Sequence, residues 1–117
     1  VNSTGSIAEE FKAIALQADG KILLAGRTPG NAAGDSFDAV LMRLDASGNL
    51  DTGFGGGSGS VVLNLSSYDE FNSVAVQADG KILAAGREYS GIGEALIARL
   101  NYNKRMIDWF MNCKEFQ

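Results

Sequence analysis

The apolar positions of this chain fall in short runs, each closed by glycine, aspartate, asparagine or serine. That punctuation predicts strands joined by tight turns. Ala13–Gln17 and Lys21–Ala25 flank Ala18-Asp19-Gly20 and predict a hairpin, because an Asp-Gly pair tolerates the positive φ such a turn demands. Asp38–Leu44 predicts a third strand, with Val40, Met42 and Leu44 alternating against Ala39, Leu41 and Arg43. Asp45-Ala-Ser-Gly48 makes a second turn, and Ser60–Leu65 predicts a fourth strand. Between them Gly53–Gly59 is so rich in glycine that it reads as a flexible connection. The first two strands are apolar almost throughout, which predicts burial on both faces, as in stacked sheets.

The pattern then repeats. Phe11-Lys-Ala-Ile-Ala-Leu-Gln-Ala-Asp-Gly-Lys-Ile-Leu-Leu-Ala-Gly-Arg27 returns without a gap as Phe71-Asn-Ser-Val-Ala-Val-Gln-Ala-Asp-Gly-Lys-Ile-Leu-Ala-Ala-Gly-Arg87, sixty residues later. Arg43-Leu44 returns as Arg99-Leu100 after fifty-six, so the second copy has a shorter loop before its third strand. A period of this size marks a repeat architecture in which each copy is one supersecondary unit. The chain divides into residues 1–10, a partial outer strand and the loop leading into the first unit; 11–65, the first repeat; 66–103, a second and incomplete repeat; and 104–117, a tail outside the repeat.

The string Gln-Ala-Asp-Gly-Lys-Ile-Leu-x-Ala-Gly-Arg, followed by Arg-Leu and then by Leu50-Asp51-Thr52-Gly53-Phe54-Gly55, resembles the bacterial delta-60 repeat. The likeness covers Phe11 to Asn101. It implies an all-β chain of β-propeller blades, about two four-stranded blades per chain, of the kind carried by long secreted or cell-surface bacterial proteins. It carries no agreed active site, so it transfers no catalytic residue.

Propellers close with about four to eight blades, because a blade buries its faces only against neighbours. Two blades therefore predict a homo-oligomer that completes the ring. Three chains giving six blades is the favoured arrangement, with two, four or five chains as alternatives. The second copy shows no obvious fourth strand. Val1–Gly5 aligns with the fourth strand of the first copy and is a candidate to complete the last sheet of this chain or of a neighbour. In the tail, Ile107-Asp108 and Phe110 read as a worn echo of Leu50-Asp51 and Phe54. Alternatively Met106, Phe110 and Cys113, with Trp109 and Phe116, form an apolar stripe at helical spacing.

Composition mainly excludes. The 117 residues carry a net charge of −4, which argues against nucleic acid and against an anionic membrane surface. No apolar run is long enough to span a bilayer as a helix. One cysteine, Cys113, and no histidine rule out an intrachain disulfide, a Cys/His zinc site and a His-based catalytic triad. The catalytic set, if there is one, is therefore unknown. Asp19-Gly20 and Asp79-Gly80 are explained as turns. Arg27, Arg87, Arg43 and Arg99 recur in both copies, which points to strand-end hydrogen bonds or ion pairs between blades rather than to anion binding.

The recurrence with the most chemical content is Glu9-Glu10-Phe11 against Asp69-Glu70-Phe71. Both carboxylate pairs stand just before the first strand of a unit, and in a propeller that strand lines the central channel. In a closed ring, Glu9, Glu10, Asp69 and Glu70 are candidate ligands for a divalent metal such as Ca²⁺, which favours oxygen donors. Two functional expectations follow. The favoured one is a structural or interaction module that assembles with itself and binds a protein or glycan through its loops or channel. The alternative is a metal-assisted hydrolase of esters or phosphoesters, which needs no histidine.

Overall fold

The computed structural model describes residues 9–30, 36–64, 68–89, 94–100 and 107–112. They form eight strands in two antiparallel sheets: β1 (Glu10–Leu16), β2 (Ile22–Pro29), β3 (Phe37–Leu44) and β4 (Ser60–Leu63), then β5 (Asp69–Val76), β6 (Ile82–Glu88), β7 (Glu94–Leu100) and β8 (Ile107–Asn112). Each sheet is a simple meander, with order β1-β2-β3-β4 and β5-β6-β7-β8. The Asp-Gly hairpins form as expected. Gly20 and Gly80 sit at φ 90° and 89°, and the Asp19 and Asp79 Oδ1 atoms accept the N–H of Lys21 and Lys81 at 3.1 and 3.0 Å.

The first strand of each sheet starts earlier than its apolar run suggests, so Glu10, Asp69 and Glu70 lie within strands rather than before them. A bulge explains the discrepancy. Phe11 pairs with Gly26 and Ala13 with Ala25, leaving Lys12 as the extra residue, and Phe71, Asn72 and Ser73 repeat the arrangement against Gly86 and Ala85. In β5 the extra residue breaks the alternation of buried and exposed positions, whereas β1 alternates straight through it. β1 is also not buried on both faces, contrary to expectation: its residues alternate, with Ile14 65% and Leu16 68% exposed. It is the edge of its sheet and has a neighbour on one face only. The strand buried throughout is the central β3.

The register fixes which faces meet. Leu23 and Ala25 of β2 and Ala39 and Leu41 of β3 are fully buried, with Ala13, Ala15, Val61 and Leu63 beside them. They pack on Ile82 and Ala84 of β6, Leu96, Ala98 and Leu100 of β7, and Val74 and Val76 of β5. By the repeat, Ile82 corresponds to Ile22, Leu96 to Val40 and Leu100 to Leu44, all on the opposite face of the first sheet. The two sheets are therefore stacked head to tail: one face of the first unit meets the other face of the second.

The glycine-rich stretch is a built turn, not a flexible connection. Phe54 is fully buried in the core beneath it. Its N–H donates to the Asp51 carbonyl at 3.1 Å, its carbonyl accepts from Gly59 N–H at 2.9 Å, and Arg43 N–H donates to the Gly59 carbonyl at 3.0 Å. The Arg43 guanidinium lies 4.8 Å from the Phe54 ring centroid and its Nε donates to Asp51 Oδ2 at 2.9 Å. Burial pushes the Asp51 carboxyl up, but the Gly53 N–H, Arg43 and Lys21 outweigh it and hold it below its ordinary value. The recurrent Arg43 is thus a strand-end clamp.

The tail supplies the fourth strand of the second sheet. Ile107–Asn112 pairs with β7, Trp109 opposite Arg99 and Phe110 opposite Ala98, so this segment is not a helical stripe. Ile107, Trp109 and Phe110 are residue types that suit a pleated sheet, whatever helical spacing the segment also permits. Ile107 pairs with Leu100 as Leu50 bridges to Leu44 in the first unit, so the echo of Leu50 is real at that position. Val1–Gly5, the other candidate for the fourth position, and Cys113 lie outside the described residues.

Candidate functional site: a charged and aromatic cluster between the sheets

At the end of the sheets where β1 and β5 begin, residues of both units converge on Arg27. Its Nη2 lies 2.7 Å from Glu10 Oε1, its cross-strand partner, and its Nη1 lies 3.9 Å from Glu70 Oε1 of the second unit. Lys12, freed from the ladder by the bulge, reaches the same two carboxylates at 3.8 and 3.7 Å. Glu70 also accepts from Tyr68 Oη at 3.4 Å and from Asn72 Nδ2 at 3.2 Å. Glu70 is buried and Glu10 half exposed. The Glu70 contacts are thus the less screened ones, because the surroundings are drier.

An aromatic ladder flanks these ion pairs. Phe37 and Tyr68 meet edge to face at 5.4 Å and 64°, and Tyr68 and Tyr89 at 5.0 Å and 88°, the geometry that aromatic quadrupoles favour. Arg27 stands 4.3 Å from the Phe37 centroid and 5.3 Å from that of Tyr68. Arg87, its repeat equivalent, stands 5.3 Å from Tyr89. The backbone ties the ladder down: Phe37 bridges to Tyr68, and Tyr89 N–H donates to the Tyr68 carbonyl at 2.9 Å.

Behind the ladder three further carboxylates are buried: Asp38 at 6%, Asp69 at 0% and Glu88 at 4% exposure. Asp69 and Glu88 are cross-strand partners. Burial first, and the nearby Asp69 charge second, push the Asp38 carboxyl above its ordinary value of 3.8. The folded state therefore holds the Asp38 proton more tightly than the unfolded state, and this group's contribution to stability falls as pH rises from 3.8 through the raised value. Asp38→Asn is expected to stabilise the fold near neutral pH and to lose that advantage at about pH 3.8 and below, checked by urea midpoints across that range. An equal effect at both ends would show that the Asp38 proton is not involved.

The four carboxylates singled out in the sequence thus have separate fates. Glu10 and Glu70 are brought together, but around Lys12 and Arg27. Asp69 is fully buried, and its charge helps to raise the Asp38 carboxyl. Glu9 lies just before β1, with Oε1 buried and accepting no hydrogen bond. Among the described residues no group of three or more histidine, cysteine, aspartate or glutamate side chains is placed to hold a metal ion. Within one chain Lys12 and Arg27 pair with Glu10 and Glu70, two of the four carboxylates. Sequence reasoning missed Lys12, Phe37, Tyr68 and Tyr89. Lys12 reads as an ordinary exposed position of an alternating strand, and the aromatic residues lie at strand ends, outside the repeated string.

The stacked meanders match an outside comparison. A family model described as "Domain of unknown function (DUF5122) beta-propeller" matches residues 17–54 and 77–103, more than half of the chain and one stretch in each sheet. The chain belongs to the DUF5122 beta-propeller family. A search of curated proteins gave no match. Each sheet is accordingly a propeller blade, and the Arg27 cluster lies at the junction between two blades.

Proposed function

We propose that this DUF5122 chain is a structural module that assembles with further copies of itself into a closed β-propeller, whose loops and channel then serve as a binding surface for a protein or glycan. One observation carries this reading. The face that each blade leaves open in one chain is chemically the face that the other blade buries. On that face of blade one Ile14 and Leu16 are exposed and Ile22, Leu24 and Leu44 partly so, the counterparts of Val74, Val76, Ile82, Ala84 and Leu100 in the core. Blade two leaves open Ser73, Ala75, Leu83, Ala85, Ala95 and Ile97, the counterparts of Ala13, Ala15, Leu23, Ala25, Ala39 and Leu41.

A second copy can therefore dock by repeating the operation that already relates the two blades, and a head-to-tail contact of this kind closes into a ring when the rotation per copy divides the full turn. The Arg27–Glu70 pairing has its counterpart across such a seam in Arg87 and the next copy's Glu10. Three chains, giving six blades, is the arrangement we favour. The test is the double variant Ile14→Glu/Leu16→Glu. Both side chains are mostly exposed in one chain, so the fold survives while two buried charges oppose docking. The variant is expected to run at the single-chain mass of 12.3 kDa with an unchanged circular dichroism spectrum. If the variant keeps the mass of the parent assembly, the docking face is wrong.

A further inference from the structure

The seam inside the chain and the seam that assembly adds are built from different side chains. Inside the chain, blade one reaches across to blade two with rings and charges. Phe37 meets Tyr68 edge to face at 5.4 Å, and the Arg27 guanidinium lies 5.3 Å from the Tyr68 centroid. Lys12 and Arg27 stand 3.7 and 3.9 Å from Glu70 Oε1, on a carboxylate that is buried.

At the seam between chains, blade two takes the place of blade one, and the next copy's blade one takes the place of blade two. The sixty-residue offset then puts Ala8 in the position of Tyr68, Pro29 in that of Tyr89 and Asn72 in that of Lys12. The fifty-six-residue offset puts Gly93 in the position of Phe37. None of the three ladder positions is aromatic there, and an uncharged amide replaces the Lys12 ammonium. Of these cross-blade contacts, the pairing of Arg87 with the next copy's Glu10 is the one that persists.

The difference has energetic weight. Edge-to-face rings and a guanidinium over a ring stabilise a contact beyond the area they bury. A charge pair on a buried carboxylate is little screened by salt. The seam between chains keeps the matching apolar faces without these additions. It also lacks the peptide link, which holds the two blades of one chain at high effective concentration, whereas a separate copy gives up free translation and rotation on docking.

We infer that the seams of the assembly are of two strengths, so that each chain keeps its blade pair intact while the seams between chains open and close and whole chains exchange between rings. This rests on the ring assembly proposed above and adds what regulates it. The seam between chains is the reversible joint, and asparagine at 72 with alanine at 8 keeps it so.

The test puts the missing groups back. Asn72 is exposed in one chain, so Asn72→Lys leaves the fold unchanged and offers an ammonium to the next copy's Glu10. Ala8→Tyr offers a ring to the preceding copy's Arg87. Sedimentation velocity over a dilution series gives the concentration at which the parent assembly is half dissociated. Asn72→Lys is expected to lower that concentration by about threefold, and Ala8→Tyr/Asn72→Lys by about tenfold or more. Asn72→Gln should leave it unchanged. In native mass spectrometry, labelled and unlabelled parent assemblies are expected to mix while β2, β3 and β6 keep their amide protection, and the double variant to mix more slowly. If the parent assembles but Asn72→Lys and the double variant dissociate at the parent's concentration, or if chains mix only on unfolding, the inference is overturned and ring assembly stands. A parent that remains at 12.3 kDa at every concentration overturns both.

Discussion

Replacing Gly86 by alanine is expected to lower the stability of the fold by about 3 kcal/mol or more, a large share of what a small domain has. The reason is the bulge. Gly86 faces the first strand of its blade so closely that an added Cβ would collide with the backbone of Glu70 and Phe71, which has no side-chain freedom to give way. Gly26 stands in the same relation to Glu10 and Phe11. Neither glycine needs a positive φ, so alanine's backbone preference is not the issue; contact with main chain is. Gly26→Ala should therefore behave alike, and the urea midpoint of each variant measures the effect. A loss under about 1 kcal/mol in both, or the small gain that glycine to alanine ordinarily gives at an unstrained site, would mean that the first strand can move aside.

Phe54→Ala is the second large effect, expected at about 3–5 kcal/mol, the usual range for emptying a buried phenylalanine site. Phe54 is fully buried, and it is also the hub of the glycine turn: it hydrogen-bonds through its backbone to Asp51 and Gly59 and carries the Arg43 guanidinium on its ring. Phe54→Leu should recover much of the lost stability, since it restores most of the buried apolar volume. Faster amide exchange at Gly59 in Phe54→Ala would locate the damage in the turn. If Phe54→Ala unfolds at the parent's urea concentration, the turn is held by its hydrogen bonds and the ring is incidental.

These two effects mark the boundary of what the sequence made legible. The repeat, the meander, the Asp-Gly turns and the strand character of Asp38–Leu44 were open to inspection, because period-two alternation and turn chemistry are local properties. The bulge was not: β1 alternates straight through Lys12 and so gives no sign of an extra residue, while at Asn72 the alternation breaks and masks the start of β5. The Gly53–Gly59 turn was misread for a related reason. Glycines permit both disorder and tight close approach, and only the burial of Phe54 distinguishes them. The tail satisfied a helical spacing and a strand propensity at once, and pairing with β7 decided between them. As for the site, the carboxylates were visible, but their partners were not. Lys12 reaches Glu70 from the other blade and Tyr89 packs on Tyr68 beside it, and the repeated string contains no trace of those contacts.

The faces were legible only in retrospect. Once the register is known, the chain can be read as a blade pair whose exposed surfaces match its own buried ones, and self-assembly becomes the central claim. Light scattering on the parent chain after size exclusion tests it most directly. The account expects a discrete species at a small whole-number multiple of 12.3 kDa, with three chains favoured. A stable species at 12.3 kDa across the accessible concentration range would contradict it.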